Sequence, residues 1–311
     1  MTRKLQNTSL EIVSEVYDTI HIEKQLQTLP DKAMQRSTEP FEWCNLLWIP
    51  KYHRSGLVTG YTSSIRNLWL SLREDKLLIR NSLQKFYMGN NYEVFAFAKA
   101  VQALKLLDDY FPFSIYDAEV KHVACGIVIQ EDAQLIFENW ADYKGKFPHV
   151  MRNGTKVYGA HYKATDYNIK GYDKTYEVSI SDRQKLNAPY FRFEIEAKAK
   201  YYNTRKDPIP IYTVSDLVSK ENYDRLASNL LDTYQTIKKR PLIPYVALQP
   251  KEIRLIAVMN DKKAVNGLKK YHKHSYKTDR KRYTALISSL QQNPFENQVE
   301  EKLKSTIQQH L

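Results

Sequence analysis

The sequence predicts an α+β protein, a mainly antiparallel sheet with packed helices followed by a helical C-terminal module. Three observations carry this. Between Trp43 and Lys200, short runs rich in branched and aromatic residues alternate in period two and stop at Asn, Gly, Pro or Asp clusters, the pattern of strands. Two helical patterns interrupt those runs. After Pro208 and Pro210 the apolar period becomes helical and stays so to the C-terminus.

The elements follow in order. Residues 1–40 are a polar extension that ends in a turn-like stretch from Ser37 to Pro40. Leu10, Val13, Val16 and Ile20 at helical spacing predict a loosely attached helix there. Trp43 to Ile49 is a short apolar run stopped by Pro50. Asn67 to Arg73 places Leu68, Leu70 and Leu72 on one face, and a turn at Glu74, Asp75 and Lys76 leads to a strand over Leu77 to Tyr87. Asn90 or Asn91 caps a helix to about Tyr110, whose buried stripe is Val94, Phe97, Val101 and Leu104. Val120 to Ile129 reads as an inner strand, and a helix follows from Asp132 to Tyr143. Strands are expected over Thr155–Lys163, Asn168–Val178 and Pro189–Lys200. Val214 to Lys239 reads as a helix with Ser215 as its cap, and two more helical stretches follow. The expected units are thus an extension (1–40), an α+β catalytic-type domain (41–210) and a basic helical module (211–311).

Composition narrows the function. The chain has 311 residues, a formal charge of +12 and 23 tyrosines. Excess Lys and Arg with abundant Tyr suits a nucleic-acid protein, although half-buried strand positions also use tyrosine. Eleven basic residues against three acids lie between Lys251 and Tyr283, so two thirds of the net charge sits in about a tenth of the chain. That concentration suits a phosphate-backbone surface; the alternative is a solvated basic helix. Cys44 and Cys125 make neither a disulfide scaffold nor a zinc site, and a reducing, cytoplasmic setting is expected. No apolar run approaches a membrane span, and no apolar segment follows the N-terminus as a secretory signal would.

Three strands hold the groups suited to chemistry. In Lys170-Gly171-Tyr172-Asp173-Lys174, strand alternation puts Lys170, Tyr172 and Lys174 on one face. A phenol between two ammonium groups should ionise more readily, and those cations can hold a phosphate, which suits a tyrosine nucleophile. From these five residues alone, a cross-strand tyrosine with ordinary surface lysines is the preferred reading. In Arg192-Phe193-Glu194-Ile195-Glu196, one face is core and the other carries Glu194 and Glu196 about 7 Å apart. Such a pair can hold Mg²⁺ or Mn²⁺, or form a charged outer face neutralised by Arg192 and Lys198. His161 lies on the hairpin partner of the Tyr172 strand, where it completes a metal site or is merely structural. His272-Lys273-His274 is not taken as a metal pair, because it falls in the basic run and not in a buried strand.

Taken together, Lys156-Val157-Tyr158-Gly159, Tyr167 to Lys174 and Phe191 to Glu196 resemble the core of rolling-circle replication initiators. The likeness is to the group from small bacterial plasmids and single-stranded-DNA, filamentous-type phages, where Y-G, I-x-x-Y-[DN]-K and R-x-E-I-E recur in that order. The motifs span about 40 residues. The resemblance implies a replication-initiator nuclease fold and an enzyme that nicks one strand of an origin, keeps a 5′-phosphotyrosine bond and later rejoins a strand. It implies Tyr172 as nucleophile, Lys174 as its phosphate or proton partner, and Glu194 as a ligand of Mg²⁺ or Mn²⁺, with Glu196 matching the same pattern. The partners implied are double- and single-stranded origin DNA, host helicase and host DNA polymerase in a bacterial cytoplasm, and no membrane. Lys170 and Arg192, with Lys269, Lys270, Lys273, Lys277, Arg280, Lys281 and Arg282, are the expected DNA contacts.

One departure bears on the metal. The family usually carries an acid or His on the strand equivalent to Val120–Ile129, and here that position is Ala124. His122, two residues away on the same face, is the expected substitute, with His161. Rival readings are a relaxase or transposase of related chemistry, and a non-catalytic duplex-binding protein such as a repressor or a degenerate initiator. Tyr176 and Tyr167 are the next candidates for the nucleophile.

Overall fold

The computed structural model describes residues 17–240, 245–290 and 294–310. Its first half comprises β1 (Thr19–Gln25), α1 (Asp31–Met34), β2 (Phe41–Trp43), β3 (Leu46–Tyr52), β4 (Val58–Ile65), β5 (Leu68–Arg73), β6 (Lys76–Ser82), α2 (Leu83–Met88) and α3 (Phe97–Asp108). The second half has β7 (Glu119–Ile129), α4 (Ala133–Phe137), β8 (Trp140–Asp142), β9 (His149–Asn153), β10 (Lys156–Lys163), β11 (Tyr167–Asp173), α5 (Lys174–Ser181), β12 (Phe191–Lys198) and α6 (Ala199–Asn203). It closes with α7 (Val214–Leu217), α8 (Lys220–Thr236), β13 (Lys238–Lys239), α9 (Pro250–Asn260), α10 (Lys262–Tyr271), α11 (Lys273–Leu290) and α12 (Pro294–His310).

The α+β class holds. An eleven-stranded sheet runs in the order β2-β3-β4-β5-β6-β1-β7-β12-β11-β10-β9, with its neighbours antiparallel. β8 and β13 form a separate two-stranded ribbon. The period-two runs explain the core. Phe191, Phe193 and Ile195 of β12 share a buried face with Ile127 and Cys125 of β7 and Ile169 of β11. α8 and α12 pack against that face, bringing Leu226, Leu230, Tyr234, Val299 and Leu303 into one continuous core. Burying an aliphatic or aromatic side chain is worth about 1.5–3 kcal/mol each, so this face outweighs local helix or strand preference.

Several expectations change. The strand expected over 77–87 ends at Ser82, whose side chain caps α2. The helix expected from Asn90 or Asn91 starts only at Phe97 with Ala96 at its N-cap, and it buries Ala100, Ala103, Leu104 and Leu107, so of the expected stripe only Leu104 is fully buried. The helix expected over 214–239 is two, α7 capped by Thr213 and α8 capped by Ser219, not one capped by Ser215. Residues 19–25 are a strand, not part of a helix, and β1 lies between β6 and β7 near the middle of the sheet. Ile20 and Ile22 are fully buried while His21 and Glu23 alternate with them, a period of two that the helical spacing obscured. Leu10, Val13 and Val16 lie outside the described residues. The Tyr172 strand stops at Asp173, whose carboxylate accepts from the Tyr176 N–H at 2.9 Å and starts α5. The helix over 132–143 shortens to α4 before β8, because Trp140 turns into the core against Tyr162 and Phe193. Finally, α7, α8 and α12 join the core of the sheet, and the basic helices α9, α10 and α11 pack on one another with Ile256 and Ile287 buried. The expected boundary at residue 211 therefore groups helices that bury their apolar faces in different places.

Candidate active site on the polar face of the sheet

Register assembles the site from four strands. Gly159 pairs with Tyr172 and His161 with Lys170 between β10 and β11. Across β11 and β12, Tyr172 faces Arg192, Lys170 faces Glu194 and Asn168 faces Glu196. On β7, Gly126 lies opposite Glu194, Ala124 opposite Glu196 and His122 opposite Lys198. Directly paired residues share a face, so the whole set projects to one side, away from the core.

The Tyr172 hydroxyl donates to Glu194 Oε2 at 3.3 Å. Arg192 Nε donates to the same oxygen at 2.8 Å, and its Nη2 donates to Asp18 Oδ2 at 2.9 Å. Lys170 Nζ is ion-paired with Glu196 and lies 3.6 Å from Glu194 Oε1. Asn168 donates to Glu196 Oε2 at 3.4 Å and is hydrogen-bonded to His161 Nδ1 at 3.1 Å. Behind Tyr172, Lys174 pairs with Glu177 at 2.9 Å, and Asn91 donates to the same carboxylate at 3.2 Å.

Two glycines make room. A Cβ on Gly159 would meet the Tyr172 Cβ at 2.6 Å, and one on Gly126 would meet two Arg192 guanidinium nitrogens at 3.1 Å. The two glycines are therefore the floor on which the phenol and the guanidinium lie.

The electrostatics reverse one expectation. Tyr172 does not ionise more readily: burial pushes its hydroxyl well above the usual phenol range, Glu194 adds to the rise, and Arg192 offsets only part of it. Neither lysine relieves it. Lys170 turns to the acids, and Lys174 is only 1% exposed at the start of α5 with its charge on Glu177. Lys174 is thus placed to anchor α5, not to touch a phosphate. Burial also raises Glu194, against the pull of Arg192 and Lys170, which makes that carboxylate a stronger base. For Glu196 burial works upward too, but Lys170 outweighs it and the carboxyl is held below its usual range. Asp18 is lowered in the same way, burial being outweighed by Arg192 and Lys174.

The expected metal ligands are near one another but already engaged. Glu194 serves Tyr172, Arg192 and Lys170; Glu196 serves Lys170 and Asn168; His161 serves Asn168. His122 is half-buried, and burial lowers its pKa. Among the described residues no group of three His, Cys, Asp or Glu side chains is placed to hold a metal ion. A divalent ion bridging the two glutamates would meet the Lys170 ammonium, so this donor set does not fit Mg²⁺ or Mn²⁺ as it stands.

The other expected residues divide. Tyr167 points to the core side, its ring 4.6 Å from that of Tyr201. Tyr176 sits on α5 with its ring 5.5 Å from Tyr158 and under the Lys156 ammonium. Arg192 is 0% exposed and bound to two carboxylates, so it is no DNA contact. Lys269, Lys273, Lys277, Arg280 and Lys281 line one groove between α10 and α11 together with Tyr276. Arg282 lines a second, between α9 and α11, with Lys251 and Arg254, while Lys270 lies over the Tyr271 ring at 4.9 Å. His272, Lys273 and His274 are exposed where α10 meets α11. Asp18, Asn91 and Glu177 escaped the sequence. Glu177 was legible as the i+3 partner of Lys174, whereas Asp18 is 174 positions from the arginine it holds.

No protein-family model and no curated protein matches this chain. Among solved structures, a rolling circle replication initiator protein from Geobacillus stearothermophilus aligns over 71% of this chain and 84% of its own, with a TM-score of 0.36 and 9% identity. Among the described residues no helix is long and apolar enough to cross a membrane.

Proposed function

We propose that this chain initiates rolling-circle DNA replication by nicking and rejoining one strand through Tyr172. The observation that carries the reading is the hydrogen bond from the Tyr172 hydroxyl to Glu194, a carboxylate whose basicity burial increases. The motif resemblance of residues 156–196 supports it independently.

The chemistry follows from those two groups. Tyr172 Oη attacks a backbone phosphorus as its proton passes to Glu194 Oε2. The Oη–P bond forms and the P–O3′ bond breaks. The 3′ oxygen takes a proton from solvent, and the strand stays on the enzyme as a 5′-phosphotyrosine. Because the free phenol resists ionisation, proton loss accompanies attack and does not precede it. Attack by a 3′-OH on the same phosphorus reverses the step and joins a strand. Arg192 and Asp18 hold Glu194 in place, and the α10–α11 groove supplies cations for duplex phosphates. The freed 3′-OH is a primer end for a host polymerase, and the displaced strand calls for a helicase.

The test uses supercoiled circles carrying the DNA around the coding sequence, with Mn²⁺, Mg²⁺ or EDTA present. Relaxed circles and a detergent-stable adduct are expected, with the DNA-linked peptide containing Tyr172. Attachment at Tyr176 would move the nucleophile to α5. Binding without any nick would favour the second reading, a duplex-binding protein of the same fold, which the raised phenol pKa and the occupied carboxylates also suit.

A further inference from the structure

We infer that Lys170 is a built-in substitute for a divalent cation, so that strand transfer at Tyr172 needs no metal. This rests on the proposed nicking function for its catalytic half; the occupancy of the site by Lys170 stands without it.

The argument is one of register and charge. Lys170 is on the middle strand of three, in register with Glu194 on one side and His161 on the other. Its ammonium reaches diagonally to Glu196 while staying 3.6 Å from Glu194, so one cation serves both acids. Only 21% of its side chain is exposed, and 4% and 28% of those of Glu194 and Glu196. A bound Mg²⁺ or Mn²⁺ would have to expel this lysine or share the acids with it against like-charge repulsion. The strand opposite agrees. Where a third acid would add ligand capacity, β7 presents Ala124 to Glu196 and Gly126 to Glu194. Three carboxylates (Asp18, Glu194 and Glu196) therefore face two cations that are covalently part of the chain, and Lys170 takes the place between Glu194 and Glu196 that a divalent ion would take.

Removing the lysine should create the site it occupies. Mn²⁺ is titrated into the full chain and free Mn²⁺ is read by electron paramagnetic resonance. The wild-type chain is expected to leave the signal of free Mn²⁺ unchanged. Lys170→Met, which keeps the apolar stem, should take up one ion, and adding Glu196→Gln should abolish that uptake. Should Lys170→Met fail to fold, Lys170→Gln is the second variant. The wild type also decides the matter alone: uptake of one ion that Glu194→Gln or Glu196→Gln removes overturns the inference. In the nicking assay, adduct yield with EDTA should match that with Mn²⁺ within about twofold, and an adduct formed only with metal overturns it. If no adduct forms under any condition, the nicking function fails and the titration still decides what Lys170 does.

Discussion

The polar face of the sheet and the α9–α11 helices use positive charge in opposite ways. On the sheet every cation near Tyr172 has a carboxylate partner: Arg192 with Asp18 and Glu194, Lys170 with Glu194 and Glu196, Lys174 with Glu177. On α9, α10 and α11, the described basic side chains from Lys251 and Arg254 through Lys263 to Arg282 form no ion pair. The first arrangement is largely buried and holds groups in place, where an electrostatic interaction is strong and breaking it is costly. The second leaves charge in water, where it adds little to stability and is available to phosphates. Chemistry and affinity should therefore be separable by mutation.

The largest effect expected is from Tyr172→Phe. It should remove covalent attachment to DNA altogether, read by denaturing gel, and leave duplex affinity within about twofold, since the phenol carries none of the exposed charge. An adduct in that variant would break the comparison at its catalytic end. Arg192→Met tests the buried network. It leaves Asp18 and Glu194 without their common partner and should cost about 3–5 kcal/mol in urea unfolding. A destabilisation under about 1 kcal/mol would mean that the acids are well solvated.

Neutralising Lys273, Lys277, Arg280 and Lys281 together to Ala tests the other region. These side chains are exposed, so the melting temperature should hold. The slope of log affinity against log salt should become shallower by about 0.9 for each phosphate that is no longer neutralised. A change in nicking at saturating protein would couple the two regions. The smallest effect expected is a pH dependence centred on His21. Burial, then Arg80 donating to its Nε2 at 3.0 Å, then His122 and Lys121 lower its pKa to about 4, against Glu23. The unfolded imidazole takes up a proton near 6.5, which the folded one refuses until about 4. Stability is therefore full above 6.5 and falls as the pH drops toward 4. His21→Gln should flatten the urea midpoint over that window.

Much of the sheet was legible because a strand with one buried face must alternate. Phe191, Phe193 and Ile195 against Arg192, Glu194 and Glu196 follow from that period alone, and so does the facing of Tyr172 and Lys170. The end of the Tyr172 strand was harder. Asp173 is both the last strand residue and a helix cap, and no apolar period marks that change. β1 was lost because Ile20 fits a helical spacing as well as a strand, and only pairing with β6 and β7 decides between them.

The order of the residues determined which side chains alternate on which strand, where the excess charge lies, and that a phenol and two acids would come from neighbouring motifs. Those are local properties, set by the pleat and by composition. Which partner each charge takes was decided only by the tertiary structure. The packing of β1 beside β7 brings Asp18 to Arg192, and the pairing of β11 with β12 lays Lys170 across two glutamates. Burial then turned a phenol expected to be acidic into one that holds its proton, because the cost of charge in a low-dielectric setting depends on every neighbour in space.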